Sequence, residues 1–557
     1  MAKRIETRLV LINASFKQNL SPLYSCMLLA QAFTDLLALA DQSLLRETDH
    51  DLLSKISITL VQCCVRVMVK QSNNGSWEDS VEQTSYAVAV LSEALRLCCF
   101  QDLHHQLTKM VGAAVHFLVN APPASSVDYI WIEKVTYMSP FLTQSYKLAA
   151  LKLGMRSEDH TVGLPAKVSQ KYIGLFRQMP LFSGVPEWQL HASNIESALF
   201  SPMCRTLRLE IFSRKDMEED KYFDMIPFIW TACNNYSQAF ASANFLYEMM
   251  IVSFLNFQAD EFMEAVAGHH FKHNISGLRR LIDEICLGDA HSVPFSLSAP
   301  PTVTTIDVPE DVSGPLAGFV SRLLQHPAVT GASAWDQKRL QQELRVYLQA
   351  HVTQTEDNAR LEQCGAGAAA TATADTFSHW VRTTSADHTS CPYAFAFVSC
   401  LLSSSSTYGG GRGDECFPTA SQKYFAESWC RHLAIMCRMY NDIGSIARDA
   451  AEANLNSVDF PEFACAGPGE HLARKKDELF KLAEYERARL NDAQQWLEGE
   501  MLRKGPLQEA NKAKLAVWRV FRDVTDLHGQ IYVVRDIASR IKPTSNGHTG
   551  TGLNGGN

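Results

Sequence analysis

Apolar residues recur along most of this chain at every third or fourth position, which is the spacing of one face of an α-helix. The period holds over seven long segments, at residues 20–39, 52–69, 86–99, 223–267, 337–352, 425–451 and 476–502. The alternation of apolar and polar residues that is typical of a half-buried strand is not convincing anywhere. The pattern therefore predicts an all-α protein.

Breaks in the period divide the chain into predicted domains. Residues 120–126 are rich in Pro, Ala and Ser and predict a domain junction, while residues 287–311 predict a long surface connection. The last residues are mainly Gly, Asn and Thr, a composition typical of disorder. We therefore expect an N-terminal domain over residues 1–125, a second domain over 126–542 and a disordered tail over 543–557.

Composition excludes several classes of protein. The net charge of −9 argues against a general nucleic-acid binder. No uninterrupted apolar stretch reaches the roughly 18 residues of a membrane-spanning helix, so no span is expected. The 15 cysteines are odd in number and show no CxxC spacing, which favours reduced thiols in a cytoplasmic protein.

Carboxylates and amides lie on two of the predicted apolar helices. On a helix, positions four residues apart share a face, so Asp260 points the same way as Glu264, and Asn441 points the same way as Ser445 and Asp449. Isolated carboxylates in apolar sequence are costly unless a partner binds them. Two oxygen-bearing faces suit Mg²⁺, which takes oxygen ligands and is often shared with substrate phosphates.

At these residues the chain resembles class I terpene cyclases. Asp260-Glu261-Phe262-Met263-Glu264 fits the aspartate-rich motif in its DExxE form, and residues 441–449 fit the motif (N/D)Dxx(S/T)xxx(E/D), with Asp at 449 where Glu is commoner. The resemblance implies three Mg²⁺ ions and an isoprenoid diphosphate as the substrate.

Each predicted metal ligand has a place in this resemblance. Asp260 and Glu264 are the expected ligands of the first helix, with Glu261 as a lower-ranked candidate. Asn441, Ser445 and Asp449 are the expected ligands of the second helix.

Candidate substrate-binding residues lie near the motifs. Arg448 is the stronger diphosphate candidate and Arg438 the weaker one, because a guanidinium matches phosphate geometry. Aromatic faces stabilise cations, so aromatic residues are candidates for an apolar pocket, although core packing is the commoner role of each. These candidates are Phe228, Trp230, Phe254, Phe257, Tyr393 and Phe395.

The N-terminal domain carries its own motif. Gln71, Gly75 and Trp77 resemble the QxxxGxW repeat of α-barrel domains in class II terpene cyclases, in which Gly permits a turn while Trp and Gln join helix ends. The DxDD motif of those domains is not found in the sequence; residues 49–52 come nearest, with Leu52 in place of the last Asp. A structural role is therefore expected.

The wider resemblance, over roughly residues 15–540, is to the C-terminal part of fungal bifunctional diterpene cyclases of the copalyl diphosphate/ent-kaurene synthase type. It rests on residues 130–137, 226–235, 258–264, 454–463 and 529–533. It implies a class I α-helical bundle preceded by a partial α-barrel, acting on a copalyl diphosphate to give a kaurene-like diterpene. Direct cyclisation of geranylgeranyl diphosphate and a catalytically inactive fragment are the alternatives, and the oligomeric state is left open.

Overall fold

The computed structural model describes residues 19–44, 50–121, 128–155, 162–164, 166–208, 211–212, 222–288, 310–364, 375–464, 471–503, 505 and 507–534. The predicted tail at 543–557 and nearly all of the predicted connection at 287–311 lie outside the described residues. The statements below concern the described ranges alone.

α-Helices make up nearly all of the regular structure in these ranges. The first ten are α1 (Pro22–Asp41), α2 (His50–Val69), α3 (Val81–Arg96), α4 (His104–Asn120), α5 (Pro140–Leu153), α6 (Gln170–Phe176), α7 (Glu187–Arg208), α8 (Tyr222–Tyr236), α9 (Ala243–Phe262) and α10 (Gly268–His270). The others are α11 (Ile275–Leu287), α12 (Glu310–Leu324), α13 (Pro327–Gly331), α14 (Ala334–Cys364), α15 (Phe377–Arg382), α16 (Thr384–His388), α17 (Cys391–Ser403), α18 (Ala420–Glu452), α19 (His471–Met501) and α20 (Gln508–Val534).

The strands in the described residues are a single two-residue pair. β1 (Trp131–Ile132) runs antiparallel to β2 (Thr136–Tyr137), with Trp131 opposite Tyr137. The predicted all-α class is therefore confirmed.

Buried side chains form two separate apolar cores. The first contains residues from α6 to α20, together with Ile58 of α2. The second contains residues from α1 to α5, together with Val162, Leu164, and Ala192 and Ile195 of α7. The opposite side of α7 supplies Leu190, Phe200 and Cys204 to the first core, so α7 packs into both cores.

A buried polar group lies where the two cores meet. The carboxylate of Glu196 on α7 accepts a hydrogen bond of 2.9 Å from Gln62 on α2 and one of 2.8 Å from Asn235 on α8. Burial raises the pKa of Glu196 to about 7, although both hydrogen bonds oppose the shift. The predicted boundary at residue 125 remains a prediction.

The segment predicted as one helical run over residues 223–267 is broken. α8 ends at Tyr236 and α9 begins at Ala243, with a turn between them in which Gln238 and Phe240 have positive φ angles of 53° and 47°. α9 then passes into a π-helical turn at Met263–Ala267. The periodicity predicted the apolar faces correctly but not these two departures.

The QxxxGxW residues occupy the structural positions expected of them. Gln71 donates to the backbone carbonyls of Gly75 and Met110, and the indole nitrogen of Trp77 donates to the carbonyl of Val67 at 2.9 Å. A Cβ on Gly75, whose φ is 86°, would lie 2.5 Å from a backbone oxygen of α4. These residues join the end of α2 to the middle of α4 around a turn that needs glycine.

Two helices, α1 and α2, are long and apolar enough to cross a membrane when judged by length and composition. In α2, 72% of the most apolar window is buried inside the protein, and both helices contribute to the second core. This burial is typical of core helices, so the described residues contain no clear membrane span. The cysteines of the described ranges are free thiols, and most are buried.

Candidate active site

The second motif lies on α18, at the place where this helix packs most closely against α20. A Cβ built on Gly444 would come within 2.1 Å of the backbone oxygen of Tyr532, so only glycine allows this approach. Gly444 lies directly before Ser445 and therefore fixes the depth at which the motif sits in the fold.

The ligand face of this motif is joined by hydrogen bonds. Ser445 donates to Oδ2 of Asp449 at 2.5 Å, and Nδ2 of Asn456 donates to the same oxygen at 2.7 Å. Ser445 and Asp449 are buried, and Asn441, one turn earlier, is half-buried. Asn456 lies outside the motif, between the end of α18 and a short 3₁₀ helix at Ser457–Asp459. The hydrogen bond to the Asp449 carboxylate thus comes from a residue that is not part of the motif.

Asp442 points away from that face, as its helical position predicts. Its carboxylate lies 2.8 Å from Nε of Arg438 and accepts hydrogen bonds from the backbone nitrogen and hydroxyl of Ser457. Burial raises the pKa of Asp442 to about 6, and the charge of Arg438 opposes that rise. Asp442 thus ties α18 to the segment that carries Asn456.

The aspartate-rich motif occupies the end of α9 and the π turn. Asp260 and Glu261 lie in the last turn of α9, and Glu264 lies in the π turn, where the backbone nitrogen of Gly268 bonds to the carbonyl of Met263. π turns inside α-helices are frequent at functional sites. Glu264 is exposed and Asp260 is half-buried, so both carboxylates remain accessible to ligands.

Two residues of α14 contact the Asp260 carboxylate. The hydroxyl of Tyr347 donates to Oδ1 at 2.5 Å, and Nε2 of His351 lies 3.0 Å from the same oxygen. Burial, with the nearby Asp260 charge, raises the pKa of Tyr347 well above its usual value. Tyr347 therefore stays a neutral hydrogen-bond donor.

A chain of contacts leads from His351 to the second motif. Its ring lies 3.9 Å from that of His388, centroid to centroid, and Nδ1 of His388 is 3.2 Å from Nη1 of Arg438. Burial lowers the pKa of His388 well below its usual value, and the His351 and Arg438 charges add to the effect. Arg438 in turn pairs with Asp442, so contacts join α14, α16 and α18.

The donor atoms of the two motifs fit Mg²⁺. All six predicted ligands offer oxygen, which Mg²⁺ prefers, and two of them on α18, Ser445 and Asp449, lie within hydrogen-bonding distance of each other. One donor atom from each of Glu264, His351 and His388 also lies within 4.8 Å of the others. Nδ1 of His388 lies 3.2 Å from Arg438, whereas Nε2 of His388 and both ring nitrogens of His351 have no aligned hydrogen-bond partner in the described residues.

The two predicted diphosphate-binding arginines differ in their surroundings. Arg438 is engaged by Asp442 and His388, and its guanidinium lies 5.6 Å from the centre of the Trp380 ring. Arg448 lies 3.4 Å from Oδ1 of Asp449 and 4.0 Å from Glu452. Arg448 thus remains beside a motif carboxylate, whereas Arg438 serves the contacts between helices.

Three of the aromatic candidates, Phe228, Trp230 and Phe257, lie at different depths. Phe228 stacks on Phe176 at 4.3 Å, and the Trp230 indole donates to Ser253 at 3.0 Å; both are fully buried in the first core. Phe257 is half-buried, with its ring 6.3 Å from that of His528. Nothing in these contacts connects Phe228 or Trp230 with the motifs, so their role in the pocket stays a prediction.

Tyr393 is an aromatic candidate that contacts a partner of a motif carboxylate. It lies 4.8 Å from Tyr347, centroid to centroid, and the Asp260 charge, after burial, raises the pKa of its hydroxyl. Phe395 instead packs 4.3 Å from Trp518 in the core, and Phe254 is buried there too.

Sequence reasoning did not assign a role to four residues of this site, namely Tyr347, His351, His388 and Asn456. Tyr347 and His351 stand four residues apart on a helix that was predicted, so they share one face of it. This spacing of two polar rings was the sequence signal that could have identified them as site residues. Asn456 lies in a stretch that carries the family resemblance, but its contact with Asp449 arises only in the folded chain.

Curated relatives are similar over nearly the whole chain. Pimaradiene synthase of Emericella nidulans is 41% identical over 93% of this chain and 55% of its own length. Phyllocladan-16-alpha-ol synthase of Phomopsis amygdali is 40% identical over 94% and 56%, and ent-kaur-16-ene synthase of Fusarium fujikuroi is 38% identical over 94% and 56%. The chain thus spans about half the length of the curated relatives it matches.

Two further comparisons cover less of the chain or show lower sequence identity. A copalyl diphosphate synthase of Talaromyces verruculosus is 39% identical over 24% of this chain and 14% of its own length. The solved structure of wild-type cucumene synthase superposes with a TM-score of 0.37 at 13% identity, over 60% of this chain and 95% of that one. No protein-family model matches. The resemblance that the two motifs indicated is confirmed by the curated relatives: the chain is homologous, over nearly its whole length, to fungal diterpene synthases.

Proposed function

We propose that the protein is a class I diterpene synthase, which ionises the diphosphate of a copalyl diphosphate of the ent series and guides its cyclisation to a kaurene-like diterpene. The observation that carries the proposal is the pair of oxygen-rich motifs, in which Asp260 and Asp449 are each fixed by hydrogen bonds from neighbouring side chains. The homologues support it, since all three are named for diterpene products.

The proposed cofactor is Mg²⁺, with three ions by the family resemblance. Asp260 and Glu264 would hold ions at the first motif, with Glu261 as the lower-ranked ligand, and Asn441, Ser445 and Asp449 would hold an ion at the second. When bound, Mg²⁺ supplies Lewis-acid neutralisation of the charge that develops on the departing diphosphate.

The chain's own side chains would bind the substrate and exclude water. Arg448 lies beside Asp449 and can reach a diphosphate oxygen, where a guanidinium forms charge-assisted hydrogen bonds. Tyr393 offers a buried ring near Asp260, and an aromatic face stabilises a neighbouring cation. The proposed compartment is the cytoplasm.

Two alternatives differ in the substrate or in activity. The first is direct cyclisation of geranylgeranyl diphosphate, and the second is an inactive fragment of a bifunctional cyclase. Because the sequence contains no DxDD motif to protonate an alkene, we do not expect it to make copalyl diphosphate.

The test is to incubate the purified protein with Mg²⁺ and, separately, with ent-copalyl and geranylgeranyl diphosphates, and to identify the products by gas chromatography and mass spectrometry. We expect a cyclic diterpene from copalyl diphosphate, and no copalol after phosphatase treatment of the geranylgeranyl reaction. A cyclic diterpene from geranylgeranyl diphosphate alone would favour the first alternative, and no product from either would favour the second.

Substitutions in the two motifs test whether these residues carry the activity. Asp260→Ala and Asn441→Ala should each reduce turnover by orders of magnitude at unchanged helix content, because each removes a ligand from a different motif. Asp492→Ala, at a half-exposed carboxylate of α19, is the matched control and should retain turnover. Full activity in either motif variant at ordinary Mg²⁺ would refute the site.

A further inference from the structure

The Asp260 carboxylate of the aspartate-rich motif is supported by side chains from another helix. Its Oδ1 atom receives the Tyr347 hydroxyl hydrogen bond at 2.5 Å and lies 3.0 Å from Nε2 of His351. Tyr347 and His351 are one turn apart on α14, so both project from one face of a helix that carries no motif. The side chains of both are almost fully buried, which fixes their rotamers.

His351 is itself held in place by other rings. It packs edge-on against Tyr347 at 4.8 Å and against His388 at 3.9 Å, centroid to centroid. His388 is fixed in turn by Arg438, whose guanidinium also binds the buried Asp442. Within the described ranges neither ring nitrogen of His351 has an aligned hydrogen-bond partner, so its 3.0 Å contact with Asp260 competes with no other hydrogen bond.

We propose that Tyr347 and His351 are positioning residues for Asp260, and that the contacts through His388 and Arg438 fix this carboxylate relative to the motif on α18. Groups that orient a metal-binding carboxylate raise metal affinity, and their loss typically weakens affinity or activity about 10–100-fold. A free carboxylate in the last turn of a helix could otherwise adopt several rotamers.

The inference rests on the proposed function only in taking Asp260 as a metal ligand, so its test measures ion binding without substrate. Mn²⁺ serves as the probe, because bound and free Mn²⁺ are distinguished by electron paramagnetic resonance. Three variants are compared with wild type, namely Tyr347→Phe, His351→Leu and His351→Gln. Gln keeps an N–H donor near the position of the histidine Nε2, whereas Leu removes it. His379→Leu, at an exposed histidine of α15, is the matched control.

We expect His351→Leu to weaken Mn²⁺ binding by about 10-fold or more. Tyr347→Phe should weaken it in the same direction, His351→Gln should stay within a few-fold of wild type, and the control should not change. In the Mg²⁺-dependence of turnover, the variants should raise the Mg²⁺ concentration needed for half-maximal rate more than they lower the maximal rate. A structural role alone would not produce this split or the rescue by Gln.

The outcomes separate this inference from the proposed function. If wild type binds no Mn²⁺ that Asp260→Ala removes, the metal site itself is wrong, and the positioning proposal is overturned with it. If Asp260→Ala abolishes binding but His351→Leu and Tyr347→Phe bind as wild type does, the positioning proposal alone is overturned. Circular dichroism establishes folding, and if His351→Leu does not fold, the more conservative Tyr347→Phe decides the matter.

Discussion

Replacing Gly444 by alanine tests whether the second motif owes its position to the close contact of α18 with α20. The added Cβ would lie 2.1 Å from the Tyr532 backbone oxygen, where ordinary contacts begin at 3.4 Å. The two helices would have to separate by more than 1 Å, and the opposing atom belongs to the backbone of a buried helix, which cannot turn aside. Overpacking of this kind costs roughly 1–3 kcal/mol.

The matched control is Gly499→Ala on α19. Gly499 is exposed, and a Cβ there would meet nothing within 4 Å, so alanine should stabilise the helix by about 0.5–1 kcal/mol. The two substitutions are chemically identical and should have opposite signs. The assay is thermal and urea unfolding followed by circular dichroism, compared over the same transition, together with Mn²⁺ binding. An unfolding midpoint of Gly444→Ala equal to or above that of wild type would refute the reasoning.

Three further predictions concern other parts of the molecule. Trp77→Ala should lower the unfolding free energy by about 3–5 kcal/mol without altering the product ratio, because the indole lies in the second core. A changed product ratio at unchanged stability would contradict this prediction. Asn456→Ala removes the donor to Asp449 and should raise the Mg²⁺ concentration for half-maximal turnover about tenfold, and an unchanged Mg²⁺ dependence would argue against it. Burial raises the pKa of Glu196 from 4.5 in the unfolded chain to about 7 in the folded protein. Between these two pH values the folded protein holds a proton that the unfolded chain has lost. The free energy of unfolding should therefore fall by roughly 3 kcal/mol as the pH rises through this range. Urea midpoints at about pH 5 and about pH 8 check this, and Glu196→Gln should flatten the difference; an equal slope in both proteins would exclude Glu196 as the cause.

The helices could be predicted from the sequence because their apolar faces repeat with the helical period. The break between α8 and α9 could not, because the turn contains neither Gly nor Pro, and its positive φ angles fall on Gln238 and Phe240. These residue types give no local signal for a left-handed conformation. The π turn at Met263–Ala267 was missed for a similar reason, since one extra residue in a turn hardly changes an apolar pattern.

The motif residues could be found because each set is local in sequence and repeats every four positions. The residues that surround them could not, because His351 and His388 lie on different helices and meet only through tertiary packing. Arg438 shows the same limit. Its spacing from Asn441 suggested a substrate-binding role, which stays a prediction, but could not reveal that its charge lies beside Asp442 in the folded chain.

Because α7 packs into both apolar cores, it limits how the chain can be cut into fragments that fold. A fragment that begins at residue 126 would keep α7 but lose α2, so Ala192 and Ile195 would face water and Glu196 would lose its bond from Gln62. Exposed apolar area of this kind promotes association between molecules. We therefore expect that exchange of the N-terminal helices with those of a relative requires a compatible α7 surface.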